Sequence, residues 1–157
     1  MTEASRSTRC GAALCGAVLM AASAASSPAS AAWSYREDAA AGSALAFSVD
    51  AATNEALGFS CAGGQLKAVV SPAPHGAKGL VRVRYEIDGA NFSEAWTADG
   101  ARLVAAGDGA RVVLNRIVAA TGAIWVQIGD TGQRSLHSAD GLAALVARMP
   151  NACASGR

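Results

Sequence analysis

The 157-residue sequence predicts a mainly β fold: an antiparallel sandwich or a curled meander of about seven or eight strands, with a short helix, a C-terminal helix and one disulfide. Three observations lead to this prediction. Apolar and polar residues alternate over much of the chain, which is typical of strands with one buried face. Glycine-containing turn sequences separate the alternating runs. Two cysteines remain once a leader-like N-terminus is set aside.

Strand periodicity is clearest from Val81 to Ile87, where every second residue is large and apolar and the residues between them are charged. One face of this strand should therefore pack on the core and the other should meet water. Leu45, Phe47 and Val49 repeat the period, so the same arrangement is expected for them. Further strands are expected at Leu57–Cys61, Leu66–Val70, Asn91–Thr97, Arg102–Ala105 and Ala123–Ile128.

Turns and loops are marked by short glycine and proline sequences. Gly63-Gly64, Asp88-Gly89 and Asp99-Gly100 fall between alternating runs and predict hairpins. The stretch from Ser71 to Gly79 contains two prolines, which lack a backbone donor, and two glycines. It is therefore predicted to be a loop.

Two segments have helical rather than strand spacing. Asp108 is a candidate N-cap for a short helix, and Ser138 for a C-terminal helix that Pro150 ends. Asp140 lies in the first turn of the second helix, where negative charge is favourable. The first apolar stripe contains Val113, Leu114, Ile117 and Val118, and the second contains Leu142, Leu145, Val146 and Met149.

The N-terminus reads as a secretory signal covering residues 1–32. Arg6 and Arg9 precede an uncharged run rich in small apolar residues, and small residues follow that fit cleavage after Ala31 or Ala32. The run is too short and too rich in alanine for a membrane-spanning helix. The rest, residues 33–157, has the length of a single β-rich domain. Export and the alanine-rich composition indicate the bacterial periplasm.

Only Cys61 and Cys153 remain after removal of this signal, and a disulfide between them is expected in an oxidising compartment. The alternatives are two free buried thiols or a metal site. A metal site is disfavoured because no Cys or His lies at ligand spacing from either cysteine. The disulfide would tie the C-terminal segment to the strand that contains Leu57 and Phe59.

Charge and motif content exclude several function classes. Residues 1–32 contain Glu3, Arg6 and Arg9, which leaves 11 Lys plus Arg against 11 Asp plus Glu in residues 33–157. Such a balance does not predict a nucleic-acid partner. His75 and His137 are interpreted as surface loop residues with no second ligand nearby, so we expect no metal, no cofactor and no catalytic residue.

Recognition is expected on the loop and on exposed aromatic residues. Loops carried by a rigid sheet often bind partners, although the Ser71–Gly79 segment is equally consistent with a mobile connector. Trp33, Trp96 and Trp125 are suited to an interface or to the core, and two of the three are expected to be buried. The candidate interaction residues are Pro72, Pro74, His75, Lys78 and Trp125.

The order of several short motifs resembles the VasI/TagO family of periplasmic proteins associated with type VI secretion. The motifs are Trp33, Leu57-Gly58-Phe59-Ser60-Cys61, Val83-Arg84-Tyr85-Glu86-Ile87-Asp88, Trp96, Gly141-Leu142-Ala143-Ala144-Leu145 and Cys153. The family pattern has an arginine where this chain has Glu86. The resemblance implies a β-rich periplasmic domain with an accessory role, and it implies no catalytic residue.

The function expected from the sequence is therefore a non-enzymatic exported accessory or binding protein. Its expected partner is an unidentified periplasmic protein or a cell-wall component. An inhibitor of a cell-wall hydrolase such as lysozyme is the main alternative, since the run from Phe59 to Gly64 faintly resembles such inhibitors. A third hypothesis is a weak glycan hydrolase that uses Glu86 and Glu94 as its two carboxylates.

Overall fold

The computed structural model describes residues 32–154, and it places nine strands in one antiparallel sheet that is nearly closed. The predicted signal at residues 1–32 lies outside the described residues except for Ala32. The strands run β1 Trp33–Asp38, β2 Ser43–Asp50, β3 Glu55–Ala62, β4 Gln65–Ser71, β5 Leu80–Ile87, β6 Ala90–Asp99, β7 Arg102–Ala106, β8 Ala123–Ile128 and β9 Ser135–Ser138. The helices are α1 Asp108–Val118, α2 Leu142–Val146 and α3 Asn151–Ala154.

The mainly β prediction is confirmed. In the sheet the strand order is β1-β2-β3-β4-β7-β6-β5-β8-β9, so two meanders join where β4 pairs with β7. All seven predicted strands are present, together with two edge strands, β1 and β9, that were not predicted. The expected Gly63-Gly64 and Asp88-Gly89 turns connect β3 to β4 and β5 to β6. Residues 72–79 form the predicted loop.

The core lies between the inner face of the sheet and the helices. Helix α1 contacts β4 and β7, and α2 contacts β2. Ala110, Val113, Leu114 and Ile117 of α1 are buried. Val118, predicted to share this face, is instead 36% exposed, and Gly107 rather than Asp108 takes the N-cap position. The helix thus fills the space that the curled sheet leaves open.

The C-terminal helix is shorter than predicted. Ser138 ends β9 instead of capping a helix, and α2 begins at Leu142 after Gly141, which has a left-handed backbone with φ 82°. Val146 ends α2, and Cys153 lies in the separate short helix α3. Because Gly141 has a conformation that L side chains rarely adopt, the regular helix begins only at Leu142.

The predicted disulfide joins Cys61 of β3 to Cys153 of α3, 92 residues apart. Both cysteines are fully buried. Closing a loop of this length contributes roughly 4 to 5 kcal/mol on the chain-entropy model. None of the helices within residues 32–154 has the length and apolar character needed to cross a bilayer.

Candidate functional site

A groove of about 510 Å³ lies on the outer face of β2, β3 and β4. Its lining combines large apolar side chains of β2 and β4 with small residues of β3. We call it the outer groove. Its apolar lining consists mainly of Leu45, Phe47, Ala56, Gly58 and Val69, and its charged rim consists of Arg36, Glu37, Asp38 and Arg102.

The groove exists because β2 turns its large residues outward. Leu45 and Phe47 are partly exposed and Val49 is 40% exposed, whereas Ala44 and Ala46 are buried. The expectation that Leu45, Phe47 and Val49 face the core is therefore wrong. A one-residue change of register exchanges the two faces of a strand. The register of β2 therefore decides whether its alanines or its large apolar residues are buried.

The neighbouring strands explain this choice of face. On the inner side, Ala46 is paired with Tyr35 of β1 and Phe59 of β3. A small residue between two large aromatic ones fills the interior without overpacking. On the outer side, Phe47 is paired with Ser34 and Gly58.

Gly58 gives Phe47 the room that it needs. A Cβ atom at Gly58 would lie 3.3 Å from Cβ of Phe47 and 3.2 Å from the carbonyl oxygen of Ala46, both tighter than ordinary contact. Gly58 therefore leaves a depression beside the Phe47 ring, and this depression is part of the outer groove.

The rim of the groove carries both signs of charge. The guanidinium of Arg36 lies 5.5 Å from the centre of the Phe47 ring, a cation–π distance. Arg102 is 3.7 Å from Asp99 in a largely exposed ion pair. Asp38 stands on the same side as Arg36, because side chains alternate along β1. An apolar lining bordered by mixed charges is typical of a surface that binds another polypeptide.

A buried polar chain bridges the two margins of the nearly closed sheet. Ser48 Oγ lies 3.0 Å from His137 Nδ1, and His137 Nε2 lies 3.1 Å from Ser135 Oγ, whose hydroxyl donates to Glu55. We call these four residues the polar seam. With Glu55 ionised, all three bonds form if Ser48 donates to Nδ1 and Nε2–H donates to Ser135.

Burial determines the protonation of the seam. It lowers the pKa of His137 to about 4, with Asp50 acting weakly in the other direction, so the ring is neutral at pH 7. Burial raises the pKa of the Glu55 carboxyl, against the bond from Ser135. For Asp50, burial favours a higher pKa, but bonds from the Ala52 N–H, the Thr53 hydroxyl and the Leu136 N–H outweigh it and hold the pKa below its usual value.

His137 is thus a buried interior residue and not the surface loop residue that we expected. Its burial is complete, and Ser48 is 1% exposed, so a ligand in solvent does not reach this serine hydroxyl. The seam joins β9 to β2 and β3 where no strand ladder links them within residues 32–154. Sequence alternation does not predict the seam, because β9 has only four residues and all of them are buried.

The predicted recognition residues do not form one surface. Pro72 and Pro74 line a depression of about 160 Å³ that also contains Glu55 and Gln133. His75 and Lys78 are exposed residues that do not line it. Trp125 lines a separate depression with Arg84, Glu86 and Gln127. The prediction that two tryptophans are buried is wrong: Trp96 is 1% exposed, but Trp33 and Trp125 are half-buried.

Glu86 and Glu94 point to opposite faces of the sheet. Glu86 pairs in register with Asn91, and Glu94 pairs with the buried Val83, so the two carboxylates cannot flank one glycosidic bond. Glu94 instead bonds to Arg116 of α1 at 2.6 Å and accepts a bond from the Tyr85 hydroxyl at 2.6 Å. The two-carboxylate hypothesis is therefore wrong for this pair.

Neither metal ligation nor comparison with known proteins identifies a further site among the described residues. Across the described residues, no group of three or more His, Cys, Asp or Glu side chains is placed to hold a metal ion. No protein-family model matches the chain, and neither a curated protein nor a solved structure gives a significant match.

Proposed function

We propose that this chain is a non-enzymatic accessory protein of the VasI/TagO kind, exported to the periplasm, where it binds a protein partner through the outer groove. The observation that carries the proposal is the orientation of β2, which leaves Leu45, Phe47 and Val49 at the surface and buries alanines instead. Leu45 and Phe47 line one concave region, and partly exposed large side chains gathered in this way mark an interaction site more often than a chance surface.

The chemistry of the groove favours a polypeptide partner. Its volume of about 510 Å³ accommodates one or two apolar side chains, and its rim offers Arg36 and Arg102 as cations and Asp38 as an anion. A segment with an apolar residue flanked by charges of both signs complements this lining. An anionic lipid or a nucleic acid would leave the carboxylates of the rim facing like charge.

Export is supported by the leader-like N-terminus and by the buried disulfide between Cys61 and Cys153. Disulfides of this kind persist in oxidising compartments such as the periplasm. Association with type VI secretion rests on the motif resemblance alone and is tested by the identity of the partner.

The test is quantitative capture from a periplasmic extract on three immobilised chains: the native chain, Phe47→Asp and Leu80→Asp. Leu80 is the matched control because it is 72% exposed and lies outside the groove. We expect a protein held by the native chain and by Leu80→Asp to be reduced at least about tenfold on Phe47→Asp, because a buried unpaired carboxylate is costly. Titration calorimetry with the purified partner then confirms direct binding.

Equal retention of every protein by all three chains would overturn the proposal, as would turnover of a substrate by the purified chain. If the captured partner is a lysozyme-type hydrolase, titration of its activity decides between accessory binding and inhibition. Unchanged activity at excess protein excludes inhibition.

A further inference from the structure

A second depression, of about 160 Å³, lies on the outer face of the sheet across β5, β6 and β8. We call it the Trp125 depression. The register places Asn91, Glu86 and Trp125 side by side in one row across three strands. Arg84 and Gln127 are paired in the next row on the same face. The strands therefore bring one indole and several planar polar groups together.

The charged side chains at the Trp125 depression form ion pairs that neutralise one another. Arg134 lies 2.7 Å from Glu86 and 5.0 Å from the centre of the Trp125 ring, while Arg84 lies 2.8 Å from Asp130. Two cations thus face two carboxylates. Since no cation is left in excess, the depression does not favour a phosphate or another anion.

Two amides remain available in the Trp125 depression. Among the described residues, the side chains of Asn91 and Gln127 make no hydrogen bond, and each offers one acceptor and two donors. The ion pairs hold Glu86 and Arg84 in place beside these amides, which limits the entropy lost when a ligand binds. The arrangement is a preorganised set of donors and acceptors next to an indole.

We propose that the Trp125 depression binds a neutral saccharide, of the kind found in cell-wall glycan. Sugar hydroxyls each donate and accept hydrogen bonds, which suits neighbouring amide, carboxylate and guanidinium groups. The C–H faces of a sugar ring are apolar and weakly positive, which suits the negative face of the Trp125 indole opposite the Arg134 guanidinium. A depression of this volume is the size of about one sugar ring rather than of a drug-sized ligand.

This proposal is independent of the outer groove, since the two depressions share no residue. Together they would let the protein hold a partner on one part of the sheet while it contacts glycan on another. Failure of one proposal leaves the other standing.

The experiment measures binding of the purified chain to chitotetraose by titration calorimetry and to purified murein sacculi by co-sedimentation. Trp125→Ala should weaken binding roughly fivefold to tenfold, since stacking on an aromatic ring contributes about 1 kcal/mol, and tenfold corresponds to 1.4 kcal/mol. Asn91→Ala and Gln127→Ala should each weaken it about threefold to tenfold. Trp125→Phe should retain part of the affinity.

The matched controls are Arg82→Ala and Leu80→Asp, both on the same outer face of β5 but outside the depression. Both should bind the two glycan probes as the native chain does, and circular dichroism verifies that every variant is folded. Absence of binding by the native chain, or unchanged binding by Trp125→Ala, overturns the proposal. So does binding that only a sulfated glycan shows and that added salt abolishes, because this would identify an anion site.

Discussion

The two halves of the sheet differ at β2, whose large apolar side chains face outward. In the first half, β1 to β4, β2 buries Ala44 and Ala46 and turns its large apolar residues outward, although β3 beside it buries Leu57 and Phe59. In the second half, β5 to β9, large residues such as Tyr85 and Trp96 are buried, and the outer face carries polar residues together with the exposed Leu80 and the half-buried Trp125. The proposed protein-binding groove lies where the usual pattern is inverted.

The difference teaches that covalent and polar links are attached to the half of the sheet in which one strand buries only small residues. Alanines bury less apolar area than leucine or phenylalanine, so β2 gains less from the hydrophobic effect per residue than β3, which buries Leu57 and Phe59. The disulfide from Cys61 and the polar seam from Ser48 and Glu55 both attach to this half. These links compensate for the apolar surface that β2 leaves outside.

The largest expected effect follows removal of the disulfide. The double variant Cys61→Ala/Cys153→Ala should lose about 4 to 5 kcal/mol of unfolding free energy, because the unfolded chain regains the freedom of a loop 92 residues long. Urea denaturation of the native and variant chains measures it. A loss below about 1 kcal/mol would mean that the first half does not depend on this link.

A matched pair of phenylalanines tests the inversion within one hairpin. Phe59→Ala should cost about 3 to 5 kcal/mol, because Phe59 is fully buried on the inner face and its removal leaves a cavity. Phe47→Ala, on the outer face of the neighbouring strand, should cost less than about 1.5 kcal/mol. Urea denaturation gives both values, and equal costs would contradict the assigned face of β2.

The pH dependence of stability tests the seam between the halves. Because the pKa of folded His137 is about 4 and that of the unfolded residue is 6.5, only the unfolded chain binds a proton between these values. Stability from the neutral ring is thus complete above pH 6.5 and is lost as the pH falls to 4, by up to about 3 kcal/mol. Unfolding free energies at pH 7.5 and pH 4.5 measure the loss.

His137→Asn is the control for this titration, since asparagine keeps hydrogen-bonding groups but does not titrate. The raised pKa of Glu55 acts in the opposite sense, because stability from its protonated carboxyl is lost as the pH rises through the folded value. Both chains share that contribution, so their difference isolates His137. Identical pH profiles would show that the histidine is not buried in the neutral form.

The smallest expected effect concerns a second link between the edge strands. Trp33 Nε1 donates to the carbonyl oxygen of Ser138 at 2.6 Å, which joins β1 to the end of β9. Trp33→Phe keeps most of the ring but removes this donor, so a loss of about 1 kcal/mol is expected in urea denaturation. An unchanged unfolding free energy would show that this bond does not hold the edges together.

Sequence periodicity predicted most of the sheet because seven strands alternate or are bounded by turns. The predicted face of β2 is wrong because Leu45 and Phe47 alternate with Ala44 and Ala46, so both faces of the strand are apolar. The larger side chains of Leu45 and Phe47 favour burial of their face. The true face depends on the neighbours Tyr35, Phe59 and Gly58, which only the register brings together. The polar seam could not be predicted, since its members lie 89 and 80 residues apart and β9 has no alternation.

Site-directed photo-crosslinking in cells tests the central claim most directly. A photoreactive amino acid replaces Phe47 in the outer groove or, as the control, Arg82 on the outer face of the second half. We predict a discrete crosslinked adduct with one protein at position 47 and none at position 82. The same adducts at both positions, or none at position 47, would contradict the claim that the inverted face of β2 is a binding surface.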